Sequence, residues 1–373
     1  MKASIVLGLG FGDEGKGITT DFLCSNSDNP IVVRFSGGQQ AGHTVVKNGV
    51  RHIHSSYGSG TLRGVPSYFS EHTTMYLNSL VNEREVLLQK GITPELYLHP
   101  LTMVTTPYDV AYNRLMEEKI KHGSCGLGIA ATMKRNLETG YKLYAVDLKY
   151  PSVYKQKIEA IKKYYSGKVM LHDQLDYIRL YDYAEDYFFE NLERKDLFQV
   201  EDYSCLYGYD HIIFEGSQGI LLDMNHGFFP NVTYANTTSK NVLEIYNKLS
   251  GHKIPPQIYY VTRCYQTRHG RGWMSNEQNL GLVNNKKETN VTNNWQENFR
   301  VGEIDYDLIN YALDVDSIYS KNLVKKLVVT CLDQRPGFQF DYTKLKYSFK
   351  RYLESRSDET KLVPNKNQYA ASH

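Results

Sequence analysis

Eight residues, Gly10-Phe11-Gly12-Asp13-Glu14-Gly15-Lys16-Gly17, gather glycines, two carboxylates and a lysine directly after the apolar run Ala3 to Leu9. Glycines let backbone N–H groups converge on an anion, and Lys16 adds a full positive charge. The spacing Gly10-x-x-x-x-Gly15-Lys16 satisfies most of the phosphate-loop pattern. The Ser or Thr that usually follows the lysine and touches magnesium is replaced by Gly17. Asp13 is the candidate to replace that ligand. A carboxylate inside a phosphate cradle repels the phosphate unless it serves a metal, a proton transfer, or both. A second loop, Ser36-Gly37-Gly38-Gln39-Gln40-Ala41-Gly42-His43-Thr44, holds a histidine flanked by small residues. A histidine on such a loop is suited to acid work or to stabilising developing charge.

These side chains need elements to aim them. Ala3–Leu9 reads as a buried strand, and Ile18–Leu23 reads as the start of a helix. Ile31–Phe35 reads as a second strand feeding the histidine loop. Strand-like runs near 3–9, 31–35, 212–215, 257–263 and 327–331 alternate with longer helical or irregular stretches. That alternation predicts an α/β fold with a mostly parallel central sheet flanked by helices, and ligands beyond the carboxyl ends of the strands. Residues 80–90 and 109–121 read as helices. Residues 141–210, rich in Tyr, Lys and acids, read as a peripheral helical insertion with helical spacing at 154–165 and 172–194. The expectation is one domain over 1–362 and a polar tail over 363–373.

With these loops in hand, the chain resembles the adenylosuccinate synthetase family. The resemblance rests on Gly12–Gly17 followed by Ala41–Val46, then Phe214-Glu215-Gly216-Ser217-Gln218-Gly219 running on to Asp223. It continues through His226-Gly227, Pro230, Val232-Thr233 and Asn236–Thr238. Tyr265-Gln266-Thr267-Arg268 with Gly270 and Gly272, Arg300-Val301-Gly302 and Thr330–Asp333 complete it. The order and approximate spacing are kept over nearly the whole chain.

The resemblance implies a two-step ligation. GTP phosphorylates the 6-oxygen of IMP, and the amine of L-aspartate displaces the phosphate. Asp13, His43 and Gln218 would be catalytic: Asp13 as the base for the ring proton, His43 on the phosphoryl group, Gln218 near the 6-oxygen. Purine-nucleotide contacts would come from Asp13, Glu14, Gly15, Lys16, Gln40, Ala41, Gly42, His43, Ser124, Cys125, Arg135, Gln218 and Thr233. Of these, Thr233 and Arg135 would hold the 5′-phosphate, with Ser124 or Cys125 assisting and Arg135 reaching across from a second subunit of a homodimer. GTP contacts would come from Gly12, Gly15, Lys16, Gly17, Gly42, His43, Thr44, Arg300 and Asp333, with Asp333 reading the guanine edge. Aspartate would meet Thr292, Arg300 and Arg268. Mg²⁺ would sit on Asp13 and the Gly42 carbonyl.

The departures from the family pattern point at substrate choice. Gln40 stands where the family commonly has Asn. The aspartate loop keeps Thr292 and Arg300 but lacks its other arginines, so Arg300, Arg268 or Arg271 must compensate. Cys331 replaces the usual Lys before Asp333. Phage-type relatives use dGMP and carry Ser or Thr in place of the loop Asp. Asp13 favours IMP, while Gln40 and the 290–299 stretch leave dGMP, with GTP or ATP, as the alternative acceptor chemistry.

Composition narrows the remaining classes. A formal charge of +2 over 373 residues leaves no electrostatic footprint for nucleic acid. No apolar stretch is long enough for a membrane span. Five scattered cysteines fit a reducing cytoplasm better than a disulfide framework or a zinc site. A non-catalytic nucleotide-binding protein is the competing class. It predicts no second anion site and no use for Gln218.

Overall fold

The computed structural model describes residues 1–120, 123–169, 175–249, 254–283, 299–355 and 362–365. Its centre is a ten-stranded sheet. From one edge to the other the strands are Val363–Pro364, Arg351–Glu354, Val324–Thr330, Gln257–Arg263, Lys2–Gly8, His211–Gly219, Pro30–Arg34, Ser67–Phe69, Leu96–Leu98 and Gln199–Val200. Every neighbouring pair is parallel except the first, Arg351–Glu354 with Val363–Pro364. The expected parallel α/β architecture is therefore what forms.

The inner strands are apolar on both faces because helices cover both. On one face Ile5, Leu7, Val33, Phe214, Tyr260 and Val329 join a core completed by helices Lys240–Lys248 and Tyr306–Ser320. On the other, Val6, Val32, Ile213, Val261 and Val328 pack with Leu23 and Cys24 of helix Lys16–Ser25. Alternate residues thus choose opposite cores, as the period of a strand requires.

A separate core is built around helices Leu77–Gln89, Pro107–Ile120, Pro151–Val169 and Leu175–Leu192. The stretch 141–210 is mainly helical, as expected, but it also delivers Gln199–Val200 to the sheet's outer edge. The helices run Pro151–Val169 and Leu175–Leu192, close to the expected spans. Among the described residues no helix is long and apolar enough to cross a membrane.

The direction of the strands places the chemistry. The loops after Gly8, Arg34, Gly219, Arg263 and Thr330 all leave the carboxyl ends of central parallel strands. An open α/β sheet collects its ligands there.

Candidate active site

The loop from Leu9 to Gly15 turns sharply because three consecutive-region residues take positive φ: Gly12 at 105°, Asp13 at 62° and Gly15 at 100°. Gly15 tolerates no side chain, since a Cβ there would lie 2.8 Å from Thr330 Cγ2. Asp13 holds this conformation without glycine's freedom, and such non-glycine residues cluster at functional sites. Its backbone is held from outside the loop. The Arg263 Nε donates to the Asp13 carbonyl. Thr267 Oγ1 donates to the Gly12 carbonyl at 3.1 Å, and Thr330 Oγ1 donates to the Glu14 carbonyl at 2.6 Å.

The two loop carboxylates have different fates. Glu14 turns inward and is buried. Its Oε1 accepts from Gly10 N at 3.0 Å and Gly12 N at 2.9 Å, and its Oε2 accepts from Lys16 Nζ at 2.5 Å. Backbone amides and a lysine converging on one anion form the donor set of a phosphate cradle, here filled by the protein's own carboxylate. Glu14, expected among the purine-nucleotide contacts, is here engaged within its own loop. Lys16 shares that burial and that partner.

Asp13 remains 24% exposed at the mouth of the loop, with Oδ2 2.9 Å from His269 Nε2. Burial would raise its pKa, but the hydrogen bond and charge of His269, with Arg263 and Lys16 beyond, outweigh it and hold the carboxyl below its ordinary value. Asp13 is thus an anion poised to accept. His269 carries no signal of this role in the sequence, because its partner Asp13 lies far away along the chain. Its ring lies 4.9 Å from that of Phe299, tilted against it, across the two-stranded ladder Gln266–His269 with Phe299–Gly302.

His43 begins the hairpin His43–Lys47/Val50–His54 and lies against the start of helix Lys16–Ser25. This contact explains Gly17. A Cβ at residue 17 would come within 2.8 Å of His43 Cβ and 3.1 Å of Ser59 Oγ, so the Ser or Thr of the common pattern has no room. His43 Nδ1 pairs with Glu215 Oε1 at 2.7 Å. Glu215 also accepts from Ser59 Oγ, and from Ser59 N at 3.1 Å. Burial opposes the Glu215 charge, yet His43, Arg34 and Ser59 together pull its pKa down to about 2. Burial also lowers the His43 pKa against the pull of Glu215, with Arg34 and Lys16 adding to the lowering. The pair therefore rests as a carboxylate and a neutral imidazole. Glu215 accepts the Nδ1 proton and so fixes the tautomer. Nε2 of His43 is buried and makes no hydrogen bond. Glu215 lay in a segment matched to the family, but nothing in the sequence assigned it this role.

Other buried groups are unsatisfied too. Both amide atoms of Gln40 and Oε1 of Gln218 are buried without a hydrogen bond. They lie together, since a Cβ on Gly37 would meet Gln40 Nε2 at 2.7 Å and Gln218 Oε1 at 3.0 Å. Leaving buried polar atoms unpaired costs about 1–3 kcal/mol each, so a cluster of them signals a missing ligand. Thr233 is half-buried and follows the strand bearing Gln218. Its neighbours Tyr234 and Ala235 share a small apolar cluster with Cys125, which brings Ser124 and Cys125 to the same side. Ser124 Oγ is held by Asn113 at 3.1 Å.

Two arginines expected to meet substrates are engaged inside the protein. Arg135 is buried, with Nε and Nη2 on the carboxylate of Asp109 at 2.8 and 2.9 Å, and Nη1 and Nη2 on the carbonyls of Tyr141 and Val104. The guanidinium is thus fully engaged within its own subunit. Arg268 is likewise buried. Its Nε, Nη1 and Nη2 serve the carbonyls of Arg271, Trp273 and Asn231, and its plane lies 4.4 Å over the Phe11 ring. It holds the loop. Arg300 is different: Nη1 and Nη2 are on Glu277 and Gly272, while its Nε makes no hydrogen bond. Arg271 is exposed.

Asp333 lies in the turn after strand Val324–Thr330, beyond Cys331, whose φ is 60°. Thr44 follows His43 in the hairpin, and Gly42 is exposed just before it. Thr292 lies outside the described residues. For magnesium, the expected donors are the Asp13 carboxylate and the carbonyl of Gly42, itself an exposed residue. Both are hard oxygen ligands of the type that ion takes, and Glu14 is already spent.

Comparison with known proteins decides the family. The adenylosuccinate synthetase family profile matches residues 5–356. The chain belongs to the adenylosuccinate synthetase family. Membership makes this synthetase a ligase of purine nucleotide biosynthesis. The adenylosuccinate synthetase of Buchnera aphidicola is 28% identical over 344 residues, covering 86% of this chain and 76% of the relative. That of Thermodesulfovibrio yellowstonii is 31% identical over 292 residues, covering 73% and 64%. Among solved structures, the fully ligated Plasmodium falciparum adenylosuccinate synthetase superposes with a TM-score of 0.70 at 22% identity, covering 91% of this synthetase and 78% of that chain. Cyanophage S-2L succinoaminodeoxyadenylate synthetase, bound to dGMP and dATP as an energy donor, superposes at 0.59 with 16% identity, covering 90% and 86%. These two likenesses establish the shared fold.

Proposed function

We propose that this synthetase joins L-aspartate to the 6-position of IMP with GTP as phosphoryl donor, giving adenylosuccinate, GDP and phosphate. The observation that carries the reading is that loops at the carboxyl end of the sheet hold both Asp13, a carboxylate kept below its ordinary pKa, and His43, an imidazole whose Nε2 makes no hydrogen bond. Asp13 takes the proton of the ring nitrogen next to the 6-oxygen, which turns that oxygen into a nucleophile. The oxygen bonds to the terminal phosphorus of GTP as GDP leaves. The aspartate amine then bonds to C6, loses a proton, and expels the phosphate.

His43 acts on the phosphoryl group. Incoming phosphates favour its charged form, and Glu215 steadies the imidazolium once Nε2 carries a proton. Gln218 and Gln40 meet the 6-oxygen region with the amide atoms left unpaired. Lys16 and the loop amides become phosphate ligands when Glu14 swings away. Mg²⁺, held by Asp13 and the Gly42 carbonyl, would supply charge neutralisation for the transferred group. Thr233 and the Ser124–Cys125 turn face the 5′-phosphate, and Arg300 is the arginine left for the aspartate carboxylates. In a homodimer the cation for that phosphate would be one other than Arg135.

A product assay tests this reading: IMP and dGMP in parallel, each with GTP or ATP, with and without L-aspartate. Phosphate release is expected only with a purine monophosphate and aspartate together, and most rapidly with IMP and GTP. Faster turnover of dGMP would assign the site to the other acceptor, the reading that Gln40 in place of Asn leaves in play. GTP hydrolysis indifferent to both co-substrates would refute ligation. Within the same reading, His43→Asn is expected to slow formation of the 6-phosphoryl intermediate by about 10²-fold or more. Rapid-quench measurement of that intermediate reports the step directly, and an unchanged burst would remove His43 from it.

A further inference from the structure

The hairpin that begins at His43 ends in two further histidines, His52 and His54, two residues apart on one strand and so on one face of it. Helix Leu77–Gln89 brings Glu83 to that face. One ligand atom from each of the three lies within 4.8 Å of the others. Glu83 Oε1 is 3.2 Å from His52 Nε2 and 4.0 Å from His54 Nδ1. The two rings meet edge to face with centroids 4.6 Å apart. All three side chains are buried, at 4%, 0% and 8% exposure for His52, His54 and Glu83.

The groups are poorly satisfied as they stand. Glu83 is seated by Ser55 N and Ser56 N, which donate hydrogen bonds but carry no net charge. Among the described residues its ion-pair partners are these two imidazoles alone. His54 is fully buried, and neither of its ring nitrogens makes a hydrogen bond.

We propose that His52, His54 and Glu83 form a binding site for a divalent transition-metal ion of the zinc class, with water completing the coordination. Two imidazoles and a carboxylate are a donor set for Zn²⁺ or Co²⁺, whereas Mg²⁺ prefers oxygen alone. The ligand atoms need only small shifts, because the edge of a tetrahedral zinc site is about 3.3 Å. Lys90 Nζ is 2.9 Å from His52 Nδ1 and 2.9 Å from the Arg51 carbonyl. On loading, the His52 proton moves from Nε2 to Nδ1, the ion takes Nε2, and Lys90 keeps only the carbonyl. The consequence reaches the active site, since His54 is the cross-strand partner of His43. The ion would tie the strand opposite His43 to helix Leu77–Gln89.

The test uses the full chain, stripped with chelator and dialysed. It is titrated with Co²⁺ followed by its visible absorption and with Zn²⁺ by calorimetry, with Mg²⁺ as the contrast. Wild type is expected to bind one equivalent of either transition ion at low-micromolar concentration or tighter, in a form Mg²⁺ does not displace. Asp13→Asn is expected to bind the same equivalent, which separates this site from the nucleotide's magnesium. His52→Ala and Glu83→Gln are expected to weaken binding at least about tenfold. The proposal is overturned if wild type takes up neither ion at micromolar concentration, or if both variants bind as wild type does.

Discussion

Replacing Asp13 with Asn is expected to lower ligation turnover by about 10²–10⁴-fold while the fold is retained. Asn keeps the size and tolerates the positive φ of 62° that this residue adopts. It cannot receive a proton. The loop backbone stays anchored by Arg263, Thr267 and Thr330, none of which contacts the carboxylate through these bonds. The loss should therefore fall on kcat, with nucleotide affinity changed far less. Steady-state kinetics with isothermal calorimetry separates the two. Turnover within a few-fold of wild type would strip Asp13 of the role of base. A collapse of nucleotide affinity with kcat preserved would make it a binding group instead.

The second large effect is on stability. Arg135→Met is expected to destabilise the fold by about 3–5 kcal/mol, because it leaves the buried Asp109 charge without its cation. Asp109 keeps hydrogen bonds from Thr106 N and Oγ1 at 2.8 Å and from Tyr165 Oη at 2.8 Å, but none of these carries a positive charge. Substituting both members with apolar residues is expected to recover part of the loss, since the orphaned charge goes with them. Denaturant unfolding measures the stabilities, and KM for the purine nucleotide measures the competing role. Wild-type stability with a raised KM would return Arg135 to the phosphate.

The fate of the arginines shows where reading a sequence stops. Arg135, Arg268 and Arg300 are equivalent as letters: each is a cation near a stretch that resembles the family. Packing sorts them. Two are enclosed by carbonyls or a carboxylate, and one keeps a donor free. The loop carboxylates divide in the same way, Glu14 inward onto Lys16 and Asp13 outward onto His269. Spacing along a chain says which groups can share a loop. It does not say which way a side chain turns; the partner that packing offers decides that, whether it is Lys16 two residues on or His269 far along the chain.

What the order of residues determined by itself is the strand–glycine–helix cradle, the parallel α/β plan and the family. Those follow from local apolar runs, turn chemistry and motif order, all properties of short segments. The tertiary structure alone decided that Gly17 is small because His43 lies on it, and that Glu215, Ser59 and His269 set the state of the reacting groups. It also brought His52 and His54 to Glu83. Each of these is a contact between distant segments, whose strength depends on burial and on the few tenths of an ångström that only the packed fold defines.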